Sequence, residues 1–170
     1  MSRESLYFAY GSNINLGQME VRCPDAKVVE PAVLENYELL FRGNERAFGV
    51  ATIRPKEGSR VHGLLWKLTP ECERSLDLYE GYPRLYEKQQ ITLSTKSGQQ
   101  VSAMVYVMTR EKERVPSMPT RGYFIGILEG FQQNGLPVKS LEKAISKLAR
   151  EQVRMERPKH KRRENESYER

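Results

Sequence analysis

Cysteine is scarce: Cys23 and Cys72 are the only two in 170 residues, and no C-x-x-C spacing joins them. Histidine is as thin, with His62 and His160 alone. These shortages exclude a disulfide framework and a zinc set, so no metal is expected and the thiols read as free, in a reducing cytoplasmic compartment. Long apolar runs are missing too. None approaches the roughly 18 residues of a membrane span, and no apolar region follows positive charge at the N-terminus, so neither a transmembrane helix nor a secretory signal is expected. The G-x-G-x-x-G pattern of dinucleotide sites is absent.

The chain carries a net charge of +6, with 29% charged and 38% hydrophobic residues. Half of that excess lies in residues 154–170, where apolar residues cease near Met155 and Pro158–Arg163 is a solvated basic run. Such a run without interleaved aromatics is a weak nucleic-acid signal. One domain over residues 1–154 with a basic, disordered tail over 155–170 is the expectation.

Leu6-Tyr7-Phe8-Ala9-Tyr10 reads as a short buried strand, broken by Gly11-Ser12-Asn13, each with its own turn chemistry. Asn15 can cap a helix with Leu16, Met19 and Cys23 on one face. A strand, a small-residue turn and a helix start place free backbone N–H groups at one point, a ready anion site. Further strands are expected over Ala26–Leu34, Tyr37–Arg42, Phe48–Arg54 and Val61–Leu68, with Pro31 marking an edge or bulge and Lys56–Ser59 a turn. Gly63, inside a strand, marks a close backbone approach. Thr69-Pro70 starts a helix with Cys72, Leu76 and Tyr79 inward, stopped at Gly81. Gln89–Thr95 and Val101–Thr109 form a hairpin, Glu111–Arg121 a loop, and Tyr123–Gln133 a helix, with Ser140 capping a last helix. The fold class is α+β, a small mixed sheet curled towards a barrel.

One carboxylate stands out. Glu80 ends the Thr69–Glu80 helix just before Gly81, where the helix dipole disfavours an anion by about 0.3–1 kcal/mol. Shielding by Tyr79, Tyr82 and Tyr86 would raise its pKa further, giving a group able to take and return a proton near neutral pH. An exposed glutamate at a helix end is the plain alternative.

Tyr10-Gly11-Ser12-Asn13 after an aromatic strand resembles the signature of the gamma-glutamylcyclotransferase family, which includes AIG2-like proteins. The resemblance continues in order through Gly49–Ile53, Val61–Leu68, Leu76-Asp77-Leu78-Tyr79-Glu80-Gly81, Val105–Thr109, Pro116-Ser117, Tyr123 and Asn134-Gly135-Leu136-Pro137. It implies a small mixed β-barrel with flanking helices and an enzyme that needs no cofactor. The substrate-binding positions it implies are Tyr7, Phe8, Ala9, Tyr10, Gly11, Ser12 and Asn13, with Glu80 catalytic. Tyr123 is the candidate for the family's pocket tyrosine, with five residues, Met118 to Gly122, between it and Ser117 rather than the shorter spacing of the family. The implied partner is a small-molecule γ-glutamyl compound, with no membrane and no nucleic acid, and a homodimer is left open. A γ-glutamylamine or γ-glutamyl-antibiotic cyclotransferase and a non-catalytic binding module of the same fold are the alternatives.

Overall fold

Strand β1 (Ser5–Ala9) has a neighbour along each edge, and Tyr7, Phe8 and Ala9, which alternate between its two faces, are all buried. It pairs antiparallel with β3 (Val50–Leu68), from Ser5 opposite Leu68 to Ala9 opposite Leu64, and parallel with β5 (Gln100–Met108) at Tyr7 and Met104. The structure, a computed structural model, describes residues 3–43, 48–113 and 115–157. From β5 the sheet runs through β4 (Tyr86–Thr95) to β2 (Lys27–Gly43), and β2 returns to β3, so five strands close into a mixed barrel. The two-residue β6 (Val115–Pro116), inside the expected loop, adds to the end of β2. Helices α1 (Leu16–Arg22), α2 (Pro70–Tyr79), α3 (Arg121–Gln133) and α4 (Val138–Glu156) flank the barrel. No helix among the described residues is long and apolar enough to cross a membrane.

Two pairs of expected strands are single strands. Glu35 pairs with Arg60 and Tyr37 with Pro55, so the ladder holds on both sides of Asn36 and of the Lys56–Ser59 segment opposite it. The expected turn is therefore a bulge within β3. Asn36 and Gly58 adopt φ of 62° and 81°, and the Gly58 N–H donates to Asn36 Oδ1 at 3.1 Å, so the irregular residues satisfy each other. Pro31 does lie beside a bulge, at the register shift between Val28 and Glu30.

The caps are local and mostly as the sequence suggests. Asn15 Oδ1 accepts from Gln18 N–H, and Thr69 Oγ1 from Cys72 N–H with Pro70 at the first helical position. Ser140 is a correction: α4 starts at Val138, and the Ser140 hydroxyl donates to the Pro137 carbonyl from inside the first turn. α4 continues through residue 155 to Glu156, and the whole basic run at 158–163 lies, with residues 164–170, outside the described residues. Leu141 and Leu148 bury its apolar face, while Lys147 reaches Glu38 of β2 and Arg42 reaches Glu151.

Gly63 shows why some positions admit no side chain. A Cβ there would stand 2.3 Å from the Ala9 carbonyl oxygen and 2.5 Å from the Phe8 ring. Phe8 is fully buried, so neither atom can withdraw. Gly63→Ala is expected to cost about 1–3 kcal/mol, the usual penalty of overpacking, read as a lowered urea midpoint at unchanged m-value.

Candidate active site

The barrel places the end of β1 beside the end of α2. After Ala9 the chain leaves the sheet, and Ser12–Ile14 makes a 3-10 turn closed by Ile14 N–H to the Gly11 carbonyl at 3.1 Å. Glu80 is the C-terminal cap of α2, and Gly81, at φ 62°, turns the chain away. Between them lies a cavity of about 200 Å³, to which Tyr7, Tyr10, Gly11, Ser12, Asn13, Glu80 and Tyr123 all contribute. Phe8 and Ala9 are not brought to it. Phe8 points into the core under Gly63, as alternation along a strand requires, and Ala9 is buried beside it in the ladder.

The expected anion site at the helix start is displaced. The α1 N-terminus is occupied, with Leu16 N–H donating to Gln133 Oε1 at 2.9 Å and Gln18 N–H to Asn15 Oδ1 at 3.0 Å. The free donors lie one turn earlier: among the described residues the N–H groups of Gly11, Ser12 and Asn13 donate to no backbone or side-chain acceptor. Gly11 has a negative φ, so its value is space: a Cβ would stand 3.1 Å from the Ala51 Cβ and 3.5 Å from the Tyr123 hydroxyl.

Five tyrosines of the wall differ in what their hydroxyl protons do. Tyr10 donates to the Tyr106 carbonyl at 2.5 Å, Tyr86 to the Ala51 carbonyl at 2.6 Å, and Tyr106 to Asp77 Oδ1 at 2.5 Å. Tyr123 instead accepts from Ala51 N–H at 3.0 Å, and Tyr7 accepts from Asn13 Nδ2 at 3.0 Å. Tyr7 and Tyr123 are thus left with a proton to give. Burial holds both phenols well above their usual pKa, so both stay protonated. Tyr79, expected inward, is 46% exposed and reaches the wall at its hydroxyl, 3.4 Å from Ser12 Oγ. Tyr82 does not shield Glu80; its ring carries the Lys88 ammonium at 4.6 Å. Ala51 and Tyr106 were not marked by the sequence, because nothing in a β-strand pattern tells which residue faces a cleft.

Glu80 keeps some solvent contact as a residue, but its carboxyl end is turned into the cavity, where Asn13 Nδ2 donates to Oε1 at 3.2 Å. Burial pushes its pKa up to about 7, with the Arg22 charge and the Asn13 hydrogen bond pulling the other way. The closed barrel thus gathers at one cavity a carboxyl with a pKa of about 7, two free phenol protons and three free N–H groups, the kinds of group that acid–base chemistry on a small polar molecule uses.

The comparisons make this specific. The family model "Gamma-glutamyl cyclotransferase, AIG2-like" matches residues 7–124, and the chain belongs to that family. It is 35% identical over 149 residues to the gamma-glutamylcyclotransferase of Bos taurus, spanning 83% of this chain and 77% of that one. Identity to the Homo sapiens gamma-glutamylcyclotransferase is 32% over 146 residues, spanning 81% and 76%. A solved structure described as gamma-glutamyl cyclotransferase superposes with a TM-score of 0.74 at 31% identity, covering 84% of this chain and 86% of that one.

The raised pKa carries a stability consequence. Between 4.5, the ordinary value, and about 7 the folded chain binds a proton that the unfolded chain has lost, so this group makes stability fall as pH rises through that window. Glu80→Gln removes the penalty. Its melting temperature should match the wild type at pH 4 and exceed it at pH 8, by a free energy on the order of 2–4 kcal/mol.

Proposed function

We propose that the protein is a gamma-glutamylcyclotransferase that converts a γ-glutamyl compound into 5-oxoproline and a free amine or amino acid. The observation that carries the reading is the Glu80 carboxyl, buried at the cavity end and poised near pH 7. In a γ-glutamyl compound the α-amine and the γ-carbonyl belong to one molecule. Curling the glutamyl arm brings the amine onto the γ-carbon, closes a five-membered lactam and expels the amine on the far side. A preorganised cavity needs little more than to hold that curl, since oriented intramolecular reactions reach effective molarities of about 10⁵–10⁸ M.

Proton traffic remains. The α-ammonium gives up one proton to solvent before it attacks, and as the C–N bond forms the same nitrogen gives up a second, while the leaving nitrogen must gain one. Glu80 carries that second proton from the attacking to the leaving nitrogen, as base and then as acid, because its two forms are nearly equal in population at neutral pH. The free N–H groups of Gly11, Ser12 and Asn13 receive the α-carboxylate, and the spare Tyr7 and Tyr123 protons meet the oxygen that becomes negative as the γ-carbonyl turns tetrahedral. The approximately 200 Å³ of the cavity suits the glutamyl arm, so the leaving group projects outward.

Release of 5-oxoproline from a panel of γ-glutamyl amino acids, glutathione and γ-glutamyl-lysine tests the reading. At least one should be turned over, and Glu80→Gln should lose about 10²–10⁴ in rate with its fold intact. Retention of more than roughly a tenth of the activity would remove Glu80 from the chemistry. Gly11→Val should weaken 5-oxoproline binding in a calorimetric titration more than it lowers the melting temperature, because the branched carbon enters the cavity beside Ala51 and Tyr123.

A further inference from the structure

Asn13 hydrogen-bonds Glu80 on one side and Arg22 on the other, and Arg22 itself lines no part of the cavity. Its side-chain amide has two chemically opposite ends, and which end faces the carboxylate is decided from behind. Arg22, in the last turn of α1, puts Nη1 2.6 Å from Asn13 Oδ1 and 3.2 Å from Ser12 Oγ, and Nη2 2.9 Å from Gln18 Oε1. Its Cζ lies 3.8 Å above the centre of the Tyr79 ring, a cation–π contact that closes the fourth side. A guanidinium has donors only, so the Asn13 atom that faces it must be the oxygen. The amide nitrogen is then turned inward, and its two hydrogens go to the Tyr7 hydroxyl at 3.0 Å and to Glu80 Oε1 at 3.2 Å.

We propose that Arg22 is a positioning residue for the reaction, locking the Asn13 amide in the orientation that supports the Glu80 carboxylate and leaves the Tyr7 proton for the substrate. The inference rests on the reading of Glu80 as the proton carrier. A flipped amide would reverse both effects. Its oxygen would face the carboxylate, favouring the protonated acid, and would take the Tyr7 proton for itself. The Asn13 backbone does not depend on Arg22, because Trp66 Nε1 donates to its carbonyl at 3.0 Å. The side-chain orientation can therefore fail while the turn stays in place. The other titratable groups acting with Glu80 are the Tyr7, Tyr10, Tyr86 and Tyr123 phenols, all kept protonated by burial. Arg22 is the positive charge acting on the carboxyl among the described residues.

Arg22→Gln and Arg22→Lys separate orientation from bulk. The readouts are the Glu80 carboxyl titration by ¹³C NMR, assigned with Glu80→Gln, and the pH dependence of kcat/KM for 5-oxoproline release from a γ-glutamyl amino acid. In Arg22→Gln the Glu80 midpoint should rise by roughly one pH unit. Activity at pH 7 should fall about tenfold and recover largely by pH 8.5, because the deficit is one of protonation. Arg22→Lys keeps a donor-only cation against the Asn13 oxygen and should hold the wild-type Glu80 midpoint, even where loss of the second arm to Gln18 and of the stacking on Tyr79 lowers activity. A wild-type Glu80 midpoint in Arg22→Gln, or an activity loss of the same size at pH 7 and pH 8.5, overturns the inference. If Arg22→Gln does not fold, Arg22→Lys decides, since a raised Glu80 midpoint there overturns it equally. An active Glu80→Gln would sink the proton-carrier reading itself; an inactive Glu80→Gln beside an unperturbed Arg22→Gln sinks only the role of Arg22.

Discussion

The hydrogen bond from Asn13 to Glu80 spans 67 residues of sequence and joins the end of β1 to the end of α2. Everything on either side of it is arranged to keep a carboxyl group out of bulk water without neutralising it. Full pairing with an adjacent cation would hold the carboxylate permanently ionised, and full burial with no donor would hold it permanently neutral. One amide donor with an arginine charge at one remove leaves the pKa at about 7. The barrel supplies this balance because β1 is paired on both edges and delivers the turn to a fixed place.

A second theme is how the fold spends its tyrosine protons. Tyr10, Tyr86 and Tyr106 give theirs to fixed acceptors in the wall and so act as struts between strands. Tyr86 and Tyr123 hold the carbonyl and the N–H of the same residue, Ala51, from two sides. Because Tyr123 takes the N–H, its own proton remains free, as does that of Tyr7. Identical side chains thus end with their proton bound or free according to which group their hydroxyl meets.

The helices outside the barrel serve the same turn. Gly130 allows α3 to approach the Ile14–Asn15 backbone, where a Cβ would stand 2.8 Å from the Asn15 nitrogen. Asn15 then reaches the Gly126 carbonyl and Glu129. The α1 N-terminus is thereby closed against α3, and the donors that face the cavity are those of the turn before it.

Much of this was legible in the chain. Aromatic alternation and small turn residues mark β1 and the Gly11–Asn13 turn, Thr69-Pro70 and Gly81 bracket α2, and Glu80 before a terminating glycine is conspicuous, because caps, turns and strand patterns are local physics. The barrel-type α+β class followed from the same signals and from the ordered family motifs. Other features depended on pairing between distant segments. Lys56–Ser59 has turn composition, yet β2 continues the ladder past it, and Ser140 has cap chemistry, yet Pro137 precedes it by the needed turn. Phe8 and Tyr7 differ by one position and face opposite ways, a distinction set once the sheet curls. Arg22 reads as an ordinary cation at a helix end; its grip on Asn13 exists because α1 folds back over the turn and lays it against Tyr79. Composition and periodicity determine which elements form and which residues could do chemistry, since those depend on neighbours a few residues away. Which proton is free, which amide end faces the carboxyl and how far its pKa rises are fixed by the tertiary structure, because they depend on atoms brought within about 3 Å across the whole fold.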